Sequence, residues 1–134
     1  MVQSQESWLK IGTVAERAGV SVDTVRYYER RGLLSPDQRL PSGYRLYRDS
    51  AVRRIRLARR LQALGMTLDE VADALRSHDR GDGTCETERW RLESVRERIT
   101  AQLAELMAVQ EAIDCTLSRC AAGECELRGH ELLR

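Results

Sequence analysis

The sequence predicts a mainly α-helical protein: a basic half of short helices and one turn-rich hairpin, then a single long helix and a short tail. Three observations carry this. No Pro or Gly falls between Glu86 and Arg119, so nothing there breaks a helix. Phe is absent and aromatics are only 4% of residues, so the core must be built from Leu, Val, Ile and Ala, which suits helices. The charge is also divided. Residues 1–66 hold 13 Lys and Arg against 6 Asp and Glu, whereas residues 67–134 hold 9 against 15. A near-neutral chain split in this way offers only its first half to a polyanion. Nearly all of that positive charge is Arg, which suits bidentate phosphate and guanine contacts; a GC-rich genome would give the same bias.

In order, Trp8 to Ile11 is a short apolar start. Ile11, Val14, Ala15 and Ala18 form one apolar helical face, and Gly19 ends that helix as a left-handed residue. Ser21 is an N-cap for the next helix, with Val22, Val25 and Leu33 apolar and Arg26, Tyr27, Tyr28, Arg30 and Arg31 lining the rest. Two short helices joined by a Gly-Val-Ser turn are either an ordinary helical hairpin or a helix-turn-helix whose second helix enters the major groove. Residues 35–48 carry both prolines, a Ser-Gly turn and the alternation Tyr44-Arg45-Leu46-Tyr47-Arg48, which reads as a loop and short β-hairpin. That hairpin is a wing holding phosphates, or a plain surface turn. Asp49 is the expected N-cap of a third helix, roughly residues 50–64, rich in Arg and stopped by Gly65. Thr67 and Glu70 form a capping box for a fourth helix with Leu68, Val71 and Leu75 facing its core. HDRGDGT, residues 78–84, is a polar hinge.

The long helix follows. Leu92, Ile99, Leu106 and Ile113 recur every seven residues, and Val95, Leu103, Val109 and Leu117 fill the neighbouring positions. A helix of ~34 residues is about 50 Å long, more than so short a chain covers by itself. Its partner is the same helix of a second copy, or other helices of a monomeric bundle. Cys85 lies at its start, Cys115 and Cys120 near its end, and Cys125 just beyond. In an antiparallel pair, Cys85 of one chain approaches the partner's Cys120 and Cys125. MVQSQESWLK lacks a secretory apolar core and no apolar run reaches membrane-spanning length, so a cytoplasmic protein is expected. Four cysteines in a reducing compartment point to metal ligands or redox centres rather than a disulfide framework. No nucleophile–base set is present, so an enzyme is not expected.

The stretches IGTVAERAGVSVDTVRYYERRGLL, SGYRLY, ALGMTLDEVADAL and the long helix together resemble the MerR family of transcriptional regulators, along almost the whole chain. The resemblance implies a winged helix-turn-helix DNA-binding domain over residues 8–78, a hinge over 79–84, a long antiparallel coiled-coil dimerisation helix over 85–120, and a short C-terminal metal-binding loop and tail over 121–134. It implies a homodimer on double-stranded promoter DNA that distorts the duplex for RNA polymerase when an effector binds. Arg26, Tyr27, Tyr44 and Arg45 are the DNA contacts it implies, with Val22 and Thr24 on the same helix facing the groove. Tyr28 and Tyr47 serve as contacts or as packing residues.

Cys85, Cys120 and Cys125 match the ligand pattern of the family's metal sensors, with Cys115 and His130 as further candidates. Cys at position 85, where copper(I) sensors carry Ser, favours a soft divalent ion: mercury, lead or cadmium, ahead of zinc. Three thiolates suit such an ion. A copper(I) sensor and a thiol redox sensor are the alternatives on this scaffold. A drug-binding member would need a large C-terminal domain, for which the tail after Cys125 is too short.

Overall fold

The computed structural model describes residues 7–124. Its elements are β1 (Leu9–Lys10), α1 (Ile11–Ala18), α2 (Val22–Arg30), β2 (Gln38–Arg39), β3 (Arg45–Tyr47), α3 (Asp49–Ala63), α4 (Leu68–Asp79) and α5 (Cys85–Ala121). The chain divides into two compact units, with the boundary between Leu92 and Glu93.

The first unit is built as the apolar pattern requires. Val14, Ala15 and Ala18 of α1 are buried, as are Val25 of α2, Val52, Ile55 and Ala58 of α3, and Val71 and Leu75 of α4. Leu68 is only half-buried at the start of α4. Each of these four helices stops at a glycine in the same way, at Gly19, Gly32, Gly65 and Gly81. At α1 the N–H of Gly19 bonds to Glu16 O and that of Val20 to Ala15 O, closing a Schellman motif. Gly19 has φ 70°, which an L side chain rarely adopts.

The N-terminal caps divide into expected and unexpected. The Ser21 hydroxyl accepts from Thr24 N–H at 3.1 Å. Thr67 and Glu70 form the full reciprocal capping box. Asp49, expected as an N-cap, is instead the first residue of α3; Arg48 takes the cap position, and its side chain makes no capping bond. The Asp49 carboxylate favours the positive end of the helix dipole from inside the first turn and accepts from Arg17 at 3.0 Å. The hinge is also shorter than expected, because α4 runs through His78 and Asp79 before Gly81 turns the chain. Thr84 then caps α5: its hydroxyl accepts from Thr87 N–H at 3.2 Å, and the Thr87 hydroxyl accepts from Thr84 N–H at 3.0 Å.

The hairpin is present, and β1 extends it. The sheet has the order β1-β3-β2, all antiparallel, with Leu9 opposite Tyr47, Lys10 opposite Leu46, and Arg39 opposite Arg45. A strand of two residues has no periodicity of its own, so the apolar start at Trp8–Ile11 is a strand only through its pairing with β3.

The helix α5 spans 37 residues. Val95 is its one buried residue. Leu103, Leu106, Val109, Ile113 and Leu117 of the seven-residue pattern are more than half exposed. Among the described residues, no helix is long and apolar enough to cross a membrane.

Candidate nucleic-acid interface and thiol positions

The helix α2 has two sides with different work. Val25 and Tyr28 face the core, and the buried Tyr28 hydroxyl donates to Gln62 Oε1 at 2.7 Å. Burial raises the Tyr28 pKa above the ordinary phenol value, so the hydroxyl stays a donor. Tyr28 is therefore a packing residue. The opposite side presents Arg26 and Tyr27, both exposed, with the Arg30 guanidinium 5.8 Å from the Tyr27 ring centre. Arg26 lies 3.5 Å from Asp23, a solvent-screened i,i+3 pair of little energetic weight. Val22 and Thr24 are half-buried at the start of the helix, and Thr24 Oγ1 stands 2.9 Å from the capping Ser21 hydroxyl.

The wing turns at Leu40–Tyr44, where Leu40 N–H bonds to Tyr44 O at 2.8 Å. Tyr44 at its tip is exposed, with Lys10 Nζ 5.7 Å from the ring centre. Arg45 and Tyr47, two residues apart on β3, share a face and both turn to α2. Arg45 Nη1 donates to Glu29 Oε2 at 2.6 Å, and the buried Tyr47 hydroxyl donates to Glu29 Oε1. Lys10, Gly12, Thr13, Arg26, Tyr44 and Arg45 line one open cleft of about 720 Å³ between α1, α2 and the wing. The structure thus brings Arg26, Tyr44 and Arg45 together. It adds Lys10 and Glu29, which the sequence reading passed over. The signal for Glu29 was the alternation itself: period two puts Arg45 and Tyr47 on one face of β3.

Three arginines of α3 bind other parts of the unit, although only Arg54 is half-buried. Arg54 donates from Nε to Leu33 O at 2.5 Å and from both terminal nitrogens to Asp79, at 2.6 and 2.8 Å. These bonds hold the Asp79 carboxyl below the usual aspartate range. Arg56 donates to Arg17 O at 2.6 Å and Arg59 to Gly19 O at 3.0 Å, so both close the C-terminal end of α1.

Cys85 is the first residue of α5 and exposed; Cys115 is exposed and Cys120 half-buried near the other end. Five helical residues turn through about 500°, so Cys115 and Cys120 point to sides about 140° apart. Cys125 and His130 lie outside the described residues. Among the described residues, no three His, Cys, Asp or Glu side chains of one chain cluster closely enough to hold a metal ion.

The description "MerR HTH family regulatory protein" matches residues 9–78, and "MerR, DNA binding" matches residues 52–115. The chain is 38% identical to the mercuric resistance operon regulatory protein of Serratia marcescens, over 90% of this chain and 92% of that one. It is 32% identical to heavy metal-dependent transcription regulator 2 of Rhizobium meliloti, over 87% of this chain and 76% of that one. Among solved structures, the transcription regulator PbrR691 from Ralstonia metallidurans in complex with lead(II) superposes with a TM-score of 0.76 at 29% identity. That match covers 82% of this chain and 85% of that one.

Proposed function

The chain belongs to the MerR family, whose members are DNA-binding transcriptional regulators and not enzymes, and from that premise we propose a metal-responsive regulator that acts as a homodimer on promoter DNA. Arg26 and Tyr27 of α2 enter the major groove, with Val22 and Thr24 beside them. Tyr44, Arg45 and the wing hold the phosphate backbone. The domain plan is a DNA-binding part over residues 8–78, a hinge to residue 84, the dimer helix to residue 120 and a metal-binding tail over 121–134.

One observation carries the reading. The same chain holds a cationic, Tyr-bearing cleft and a helix whose apolar stripe lies exposed. Exposed leucines at seven-residue spacing suit a second copy of α5. Antiparallel pairing sets Cys85 of one protomer near the other end of its partner's helix. Cys85 with the partner's Cys120 and Cys125 would hold the ion; Cys115 faces another side. Thiolates are soft donors, so the fit is to mercury, lead or cadmium ahead of zinc, in keeping with the mercury, heavy-metal and lead(II) relatives. When bound, the ion supplies a thiolate link between protomers. That link favours one dimer conformation, and the dimer then bends the promoter for RNA polymerase.

Mixed dimers test it. Cys85→Ser paired with Cys120→Ser retains one complete shared site and should bind one mercury(II) per dimer, against two for the parent dimer. Each homodimeric variant should bind none tightly and still bind DNA. Loss of tight binding in the mixed dimer would sink the shared site.

A further inference from the structure

We propose that Glu29 is the residue that positions the wing on the recognition helix, and that Arg45 acts through it rather than as an independent phosphate contact. The proposal rests on the DNA-binding reading above and revises it at one residue, Arg45, whose guanidinium is on Glu29. Glu29 lies one helical turn after Arg26 on α2, so the two sit on neighbouring surface. Its side chain is only 9% exposed. One carboxylate oxygen accepts from Arg45 Nη1 at 2.6 Å and the other from the Tyr47 hydroxyl.

Both donors belong to β3, so a single carboxylate brackets the wing against α2 at two points. Charge-assisted bonds to a shielded carboxylate are short and strong. The bracket fixes the offset between Arg26 on α2 and Tyr44 at the wing tip. Those two sets of contacts must meet one duplex at the same time. Arg45 has its Nη1 on Glu29 and its side chain two-thirds covered, whereas Tyr44 is 62% exposed. The wing's direct contact therefore falls to Tyr44.

A glutamine at position 29 offers one acceptor oxygen and an NH2 that cannot accept from either donor, so the bracket opens. The test uses the full chain and a duplex that the wild-type protein selects from a randomised pool. Affinity is measured against salt for wild type, Glu29→Gln, Arg45→Gln and the double variant. Each single variant should bind about tenfold more weakly, and the double variant no more weakly than either single, because all three break one link. The slope of log affinity against log salt should stay at the wild-type value in all three, because Tyr44 is uncharged and its contact releases no counterion; a fall of about one in Arg45→Gln marks a direct Arg45–phosphate contact and overturns the proposal. Ethylation interference gives the positioning readout: protection should be lost beneath the wing and kept beneath α2 in all three variants, which a change in stability alone does not produce.

Additive losses in the double variant overturn the proposal, since Arg45 then contacts DNA by itself. Wild-type affinity in either single variant also overturns it. If circular dichroism finds Glu29→Gln unfolded, Arg45→Gln decides through ethylation interference: protection lost only beneath the wing supports the bracket, and an unchanged pattern removes it. A wild-type chain that selects no sequence defeats the DNA reading itself, and the proposal with it, which is distinct from additive losses at a selected site.

Discussion

Leu106→Asp separates what α5 does alone from what it does in a pair. Leu106 is 66% exposed in the single chain, so the substitution removes little packing there, and the folded monomer should survive. In the proposed two-fold pair the position lies in the seam. Full burial of a leucine is worth about 1.5–3 kcal/mol, and two-thirds of that remains to be gained, so each copy forfeits about 1–2 kcal/mol. A carboxylate left without a partner in the seam costs about 1–3 kcal/mol more. Symmetry doubles both effects, giving at least about 4 kcal/mol, or roughly a thousandfold in the dimer dissociation constant. Sedimentation equilibrium over a concentration series reads that constant, and circular dichroism checks that the helices remain. A dissociation constant within threefold of the parent, with helices intact, would refute pairing through this stripe.

Arg26→Ala should weaken binding to a selected duplex by about tenfold or more, and binding by the parent should fall steeply with added salt because phosphate contacts release counterions. Fluorescence anisotropy measures both, and wild-type affinity in the variant would remove Arg26 from the interface. Asp79 has its pKa lowered by Arg54, so its stabilising contribution is complete above the ordinary aspartate range and is lost as pH falls through the lowered value. Asp79→Asn should therefore melt below the parent at pH 7, with the two converging as pH falls through the lowered pKa of Asp79. A gap in melting temperature that does not change with pH would refute the charged clamp; the carboxylate is half exposed, so the gap itself should be modest.

Local chemistry was legible in the sequence because its partners are close in the chain. Gly19, Ser21 and the Thr67–Glu70 box each bond within a few residues, and all three do what their residue types require. The apolar faces of α1 and α4 were legible for the same reason. What escaped were pairings between residues 16 to 40 apart: Arg45 with Glu29, Tyr28 with Gln62, Arg56 with Arg17 and Arg59 with Gly19. Composition reports an arginine as basic whether it faces a phosphate or a carbonyl. Asp49 looked like a cap because its use by Arg17 lies 32 residues away. The candidate thiol set is a spacing read from the sequence alone, since Cys125 lies outside the described residues, and the sharing proposed between protomers would leave no cluster within one chain.

The closure of α1 by Arg56 and Arg59 places its evolutionary constraint on one side only. Both guanidinium groups grip main-chain oxygens, those of Arg17 and Gly19. A carbonyl is present whatever side chain sits there, so position 17 can drift through many residue types and lose only the solvent-exposed pair with Asp49. Positions 56 and 59 have less freedom, since each must carry a side chain long enough to deliver an N–H donor to that oxygen. Among homologous chains, long N–H donors should persist at these two positions of α3 while residue 17 varies, a record of fixed donors serving an interchangeable acceptor.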